Sequence, residues 1–409
     1  MAGANARGDE IAEKRSSSCD GNRAEGHLNR ISVLYLIDSL GPGGAQRQLV
    51  TLLRSLDPDA VHPEVAYYHD IPHFEPELAE RGVRLHRLGG TGGKDPRVTL
   101  SLGSLLRDGR YDILHSYLRT PGAIARVATI GSGVPVVVSE RNVRLDSSGM
   151  RLFLERVLSR RAAAMVVNAE ATAKEVRHLL PSWSGRVHVV PNGIEWREPT
   201  EAERAGARDF RMRHLGSSDV LLGAVGRVEE QKGPDVLVRA LGELPAAVLE
   251  RLKVVWVGPR VDGRLAESVE RAAGASGLTD RFALLPETDD TRSVYLGVDC
   301  LILPSRWEGL PNVVMESLAH GTPVIATDVG DTAKLFPDDG GGWLVQPDDS
   351  NALAGTIVDM VNTTPEARAE AGAKGARFVL ENYSSARLAE RTLGVYRVVL
   401  NVSPGPGRR

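Results

Sequence analysis

The stretch CLILPSRWEGLPNVVMESLAHGTPVIATDV, residues 300–329, reads as a strand, a turn, a helix and a second strand. CLILPS (300–305) is an apolar run of strand length. Pro311-Asn312 opens a helix that continues through VVMESLAHG to the breaker Gly321, and PVIATDV (323–329) returns to β-branched residues. Two strands joined by a helical crossover lie parallel, so this segment alone points to an α/β fold.

The same rhythm extends in both directions. Upstream it runs through ISVLYLI (31–37), EVAYYH (64–69), DILHSYL (112–118), VPVVVSE (134–140), AMVVNA (164–169) and VHVVPNG (187–193). It breaks at the polar, Pro- and Gly-containing PNGIEWREPTEAE (191–203). It then restarts with DVLLGAVGR (219–227), LKVVWVG (252–258) and RFALLPE (281–287), and after the opening segment closes with GWLVQP (342–347). The expected organisation is a disordered tail at 1–29, a first Rossmann-like domain at 30–196 and a second at 197–383. A final amphipathic helix at 384–400 folds back toward the first domain, and a breaker-rich tail follows at 401–409. Two doubly wound domains bind ligands outside the carboxyl ends of their strands, so the cleft between them is where chemistry is expected.

Composition excludes several classes. At 42% hydrophobic and 25% charged, the 409 residues have apolar material for two cores, and disorder does not dominate. A formal net charge of −3 offers no global attraction to nucleic acid. Cys19 and Cys300 form neither a disulfide framework nor a metal-ligand cluster, which fits a reducing cytoplasm. No uncharged apolar run approaches the roughly 18 residues that span a bilayer, and residues 1–29 lack a signal-peptide core.

Within the opening stretch, Glu308 falls on the turn and Glu316 inside the helix. A strand, a glycine-containing turn and a helix start aim free N–H groups at negative charge, which suits a phosphate. Carboxylates beside a phosphate repel it unless they accept from hydroxyls, as sugars and riboses provide. Taken singly, either Glu is more often a solvated surface residue; in this order they point to a nucleotide sugar. Near the start, Gly41, Gly43 and Gly44 in YLIDSLGPGGAQRQLV (35–50) follow a strand and precede a helix, allowing close backbone approach to a ligand. A dinucleotide fingerprint needs a third Gly where Gln46 stands, which weakens a dehydrogenase reading.

EGLPNVVME, with LPSRW before it and HGTPVIATDVGD after it, resembles the signature of family 4 glycosyltransferases, retaining enzymes of the GT-B fold. The resemblance covers most of residues 31–400 and is densest in the second half. It implies that Glu308 lies against the donor sugar, that Glu316 holds the ribose, and that Gly309, Leu310, Pro311 and Asn312 shape the phosphate loop. GRVEEQKGPDVL (226–237) resembles the segment that clamps the donor diphosphate, here through Arg227 and Lys232. The resemblance places Gly43 and Gly44 at the diphosphate and acceptor, and His115 on the opposite wall; a lone strand His is otherwise more often structural. Arg141 and Asn142, which close the strand VVVSE, are acceptor-side candidates or else caps and surface residues. Where the family often has Gly and an acidic residue after TDVG, this chain has Asp331 and Lys334.

The function so implied is transfer of a sugar from a nucleoside-diphosphate donor, UDP- or GDP-linked, to a hydroxyl of a saccharide or lipid-linked saccharide, in bacterial surface polysaccharide or glycolipid synthesis. No cofactor and no metal ion are expected. The rival readings are another GT-B enzyme, such as a nucleotide-sugar epimerase or a phosphorylase, and a non-catalytic nucleotide-sugar binding subunit. Residues 150–162, MRLFLERVLSRRA, interleave apolar side chains with Arg and suit either an ordinary amphipathic helix or peripheral contact with the inner face of the cell membrane.

Overall fold

The computed structural model describes residues 30–141 and 149–402. Its first strands are β1 (Ile31–Leu36), β2 (Val61–Tyr67), β3 (Arg84–Arg87), β4 (Ile113–Tyr117), β5 (Val136–Glu140), β6 (Ala164–Val167) and β7 (Val187–Val189). They form a parallel sheet in the order β3-β2-β1-β4-β5-β6-β7. A second parallel sheet follows, built from β8 (Val220–Val225), β9 (Leu252–Val257), β10 (Phe282–Leu285), β11 (Cys300–Leu303), β12 (Val324–Thr327) and β13 (Gly342–Val345). Its order is β10-β9-β8-β11-β12-β13.

Helices cover both faces of each sheet, so strand residues are apolar on both sides. In β1, Val33 and Tyr35 enter one apolar layer while Leu34 and Leu36 enter the opposite one. In β8, Leu222 and Ala224 likewise separate from Leu221 and Val225. The strand that the alternating pattern omits is β3, RLHR; it sits on the sheet edge with its two arginines exposed, so it lacks the apolar signature.

Two short segments carry the chain between the halves, and they lie side by side. Ile194 N donates to Tyr383 O at 2.7 Å, and Ser385 N donates to Ile194 O at 2.9 Å. The last helix, Ser385–Val402, then lies on the first sheet's side: Leu388, Ala389, Val395, Tyr396 and Val399 share a core with Val33 and Tyr35.

Candidate active site

In both sheets the turns that follow the carboxyl ends of the strands carry the polar side chains of interest, as the doubly wound plan requires. After β11 the chain turns through Pro304–Pro311 and enters the helix Asn312–Ala319. Glu308 on this turn is buried, and its Oε1 accepts from Lys232 Nζ at 2.6 Å and from Ser305 Oγ at 2.7 Å. Lys232 ends a short 3-10 turn, Glu230–Lys232, that follows β8. Gly233 behind it has φ +66°, and a Cβ there would fall 2.2 Å from the Pro304 carbonyl oxygen. Only glycine lets these two turns close on each other and bring ammonium and carboxylate together.

The Lys232 and Glu308 side chains are 14% and 9% exposed. Desolvating such a pair costs about as much as its attraction returns, so stability does not explain why it is there. The pair is of the kind that a charged ligand could open by taking over one partner. Arg227, shortly after the end of β8, is 55% exposed and forms an ion pair with Glu229 at 2.8 Å.

One helical turn beyond the start of Asn312–Ala319, Glu316 Oε2 accepts from Tyr295 Oη at 2.6 Å. Burial, reinforced by the Glu316 charge, holds the Tyr295 phenol protonated well above its ordinary range, so it stays a donor. Oε1 of Glu316 faces Arg47 of the first half at 3.5 Å. Arg47 is half exposed, and such a pair contributes roughly 0–1 kcal/mol, so it opens easily.

Two helix starts meet between the halves. Gly44–Ser55 begins after Gly43 and Asn312–Ala319 after Pro311; neither has a side-chain cap or an acidic residue in its first turn. Each therefore presents unpaired N–H groups and partial positive charge. The position of a Cβ on Gly44 lies 3.6 Å from Asn312 Nδ2. Asn312 Oδ1 accepts from Asn192 Nδ2 at 2.7 Å, and Asn192 Oδ1 in turn accepts from Arg141. Arg141 stacks its guanidinium over the Tyr117 ring at 5.0 Å, and burial pulls its pKa below the ordinary range.

The structure thus gathers Glu308, Lys232, Gly309, Leu310, Pro311 and Asn312 on one wall, with Glu316 one helical turn further along and Arg227 exposed after β8. Gly43, Gly44 and Arg141 face them from the other wall. His115 is not part of this arrangement, and its expected cleft position is corrected. It lies inside β4, is 1% exposed, and has Nδ1 2.6 Å from the Tyr396 hydroxyl and Nε2 2.8 Å from the Ser139 hydroxyl. Burial, with Arg141 nearby, lowers its pKa to about 3, so it is a neutral core residue with both nitrogens engaged. Asn142 lies outside the described residues. Arg47, Asn192, Tyr295 and Ser305 belong to the candidate site without having been singled out from the sequence; the Asn-Gly pair directly after the last strand run of the first half, VHVVPNG, was the available signal.

The first sheet adds a cavity of about 450 Å³ lined by Asp38, Tyr68, His69, Lys94, Arg119 and Thr120, among others. These residues follow β1, β2, β3 and β4, at the same carboxyl ends as Gly44 and Arg141.

Residues 43–193 match the family model described as glycosyl transferase 4-like domain, and residues 219–363 the one described as glycosyl transferases group 1. The D-inositol 3-phosphate glycosyltransferase of Salinispora arenicola is 31% identical, over 70% of this chain and 69% of the relative. This chain is a family 4 glycosyltransferase. The enzyme of the same description from Salinispora tropica is 30% identical, over 70% of this chain and 64% of its own length. The fold is that of HepE from Anabaena in complex with UDP-glucose, with a TM-score of 0.77, 18% identity and coverage of 90% of this chain and 100% of that one. Both likenesses fit the GT-B plan of two Rossmann-like sheets. Among the described residues, no group of three or more His, Cys, Asp or Glu is placed to hold a metal ion. Nor, among them, is any helix long and apolar enough to cross a membrane.

Proposed function

We propose that this glycosyltransferase moves a sugar from a nucleoside diphosphate to an acceptor hydroxyl with retention of configuration. The observation that carries the reading is the buried Lys232–Glu308 pair, set beside two uncapped helix starts that face each other across the cleft. The helix starts and the Lys232 and Arg227 side chains would receive the diphosphate. As the bond to the anomeric carbon breaks, negative charge grows on the leaving phosphate, and preorganised cations lower that barrier directly. Once the phosphate draws Lys232 away, the Glu308 carboxylate is free to orient the sugar and to stabilise positive charge at the anomeric carbon. Glu316, held by Tyr295, would accept from the ribose hydroxyls in place of its weak contact with Arg47. The acceptor attacks on the face that the diphosphate leaves, and the departing phosphate takes the acceptor's proton. With no enzyme nucleophile in the scheme, rate comes from positioning and charge.

The HepE complexes with UDP and UDP-glucose support a uridine diphosphate sugar as donor, with GDP-linked sugars as the alternative. For the acceptor, the 450 Å³ cavity of the first half is the natural seat. Lys94 in it, together with relatives named for inositol 3-phosphate, favours a phosphate-bearing polyol or saccharide. A role in bacterial surface polysaccharide or glycolipid synthesis follows from the family's common use. Contact with the cytoplasmic membrane face would use the helix Gly149–Ser159, where Phe153, Arg156 and Val157 are exposed.

The test is thermal denaturation with UDP, GDP, ADP and their sugars, with and without EDTA, followed by release of nucleoside diphosphate with and without acceptor. One diphosphate at a hundred times its Kd should stabilise the fold by about 2.7 kcal/mol, with EDTA making no difference. Acceptor-dependent release then separates transfer from epimerisation and from binding without turnover. No stabilisation by any nucleotide and no release would overturn the reading.

A further inference from the structure

Asp331 makes a contact that the donor site does not use. It sits on the turn after β12, belonging to the second sheet, yet its carboxylate reaches the first half. Oδ2 accepts from Glu170 N at 2.6 Å and Oδ1 from Ala171 N at 3.1 Å. These are the first amides of the helix Glu170–Leu179, whose own N-cap residue, Ala169, has no side chain able to cap it. The missing cap is therefore supplied across the cleft by the other half of the molecule.

The same residue grips the donor turn. Asp331 N donates to Gly309 O at 2.9 Å. Gly330 before it has φ +60°, and a Cβ there would lie 2.2 Å from the Glu308 carbonyl oxygen, so the two turns are pressed backbone to backbone. Asp331 is 7% exposed, and Lys334 Nζ lies 3.1 Å from its Oδ2.

We infer that Asp331 is a positioning residue that latches the two halves together, capping the helix Glu170–Leu179 when the cleft is closed and thereby fixing the turn that carries Glu308. Opening the cleft strips the helix of its cap and removes the cross-cleft tether from the pair of turns that Asp331 N and Gly309 O join within the second half. Closing restores both, and a closed cleft keeps water from the place of the acceptor. The catalytic consequence rests on the donor reading of Glu308; the latch itself does not.

The experiment compares wild type, Asp331→Ala and Asp331→Asn as full chains. Without any ligand, hydrogen–deuterium exchange is followed at the first turn of Glu170–Leu179. Asp331→Ala should speed exchange there about tenfold, within the usual range of coupling between sites, and Asp331→Asn, which keeps one acceptor oxygen, should fall between. With donor and acceptor, Asp331→Ala should lower kcat by about tenfold and raise the fraction of donor lost to hydrolysis, while donor affinity changes little. A merely structural Asp would lower thermal stability without moving the ratio of hydrolysis to transfer. Unchanged exchange at that turn, or an unchanged ratio, overturns the latch. If wild type turns over no nucleotide sugar, the transfer reading fails, and the ligand-free exchange still decides the latch.

Discussion

The two walls of the cleft are built differently. The second-sheet wall concentrates its charged groups in two short segments, 226–232 and 305–316, that touch each other through Lys232 and Glu308. The first-sheet wall spreads its groups over the ends of several strands: Gly44 and Arg47 after β1, Lys94 after β3, Arg141 after β5 and Asn192 after β7. Under the proposed function, one wall would be a fixed device for a leaving group that every nucleotide sugar shares. The other is an assembly of separately variable loops, which under the same proposal would serve the choice of acceptor.

The sharpest way to break this comparison is to disarm the fixed wall. Glu308→Ala and Lys232→Ala should each lower turnover by about two orders of magnitude or more, the scale of lost electrostatic stabilisation at a reacting centre. Each also leaves its partner charged and buried, so each should lower the thermal midpoint, whereas removing both should recover stability but not activity. Steady-state kinetics and calorimetry on the three variants check this. Near-normal turnover in both single variants would remove the fixed wall from the chemistry.

The same contrast explains what the sequence disclosed. The strand, turn and helix at 300–321 are contiguous, so Glu308, Asn312 and Glu316 take their places from local structure alone. The alternation of strands and helices likewise exposed every strand except β3, whose exposed arginines erase the apolar pattern. The first wall depends on strand order and on which loops the sheet brings together, and neither is written in any one segment. Asn192 looked like linker because its partners, Arg141 and Asn312, are 51 and 120 positions away. His115 went astray for another reason. In a sheet covered on both faces, all five residues of β4 are buried, so alternation cannot say where a polar one points. The cleft lies beyond the strand ends, and His115 stops short of the end, inside the helix layer.

A smaller effect tests the dispersed wall. Asn192→Leu leaves Arg141 and the Asn312 amide without their shared partner, at a cost of about 1–3 kcal/mol if they stay unpaired. Because Asn312 begins the helix that the proposed function aims at the donor, kcat/KM should fall roughly tenfold, within that cost, while the fold persists. Ligand-titrated kinetics alongside a circular dichroism melt separates the two. A loss as large as that of Glu308→Ala would mean that the walls are equal partners.

The smallest catalytic effect belongs to His115. Its hydroxyl partners and its position between Tyr35, Tyr117 and Tyr396 make it part of the seam that holds the last helix to the first sheet. Folding lowers its pKa from 6.5 to about 3, so the unfolded chain takes up a proton there before the folded one does. Its contribution to stability is therefore complete above pH 6.5 and is lost progressively as the pH falls toward 3. His115→Gln keeps a polar side chain but cannot titrate. Its turnover at pH 7 should stay near that of wild type, and its thermal midpoint should decline less steeply across that acid range. A collapse of turnover with an unchanged midpoint would return His115 to the cleft, and with it a catalytic group to the wall to which the proposed function gives only positioning and selection.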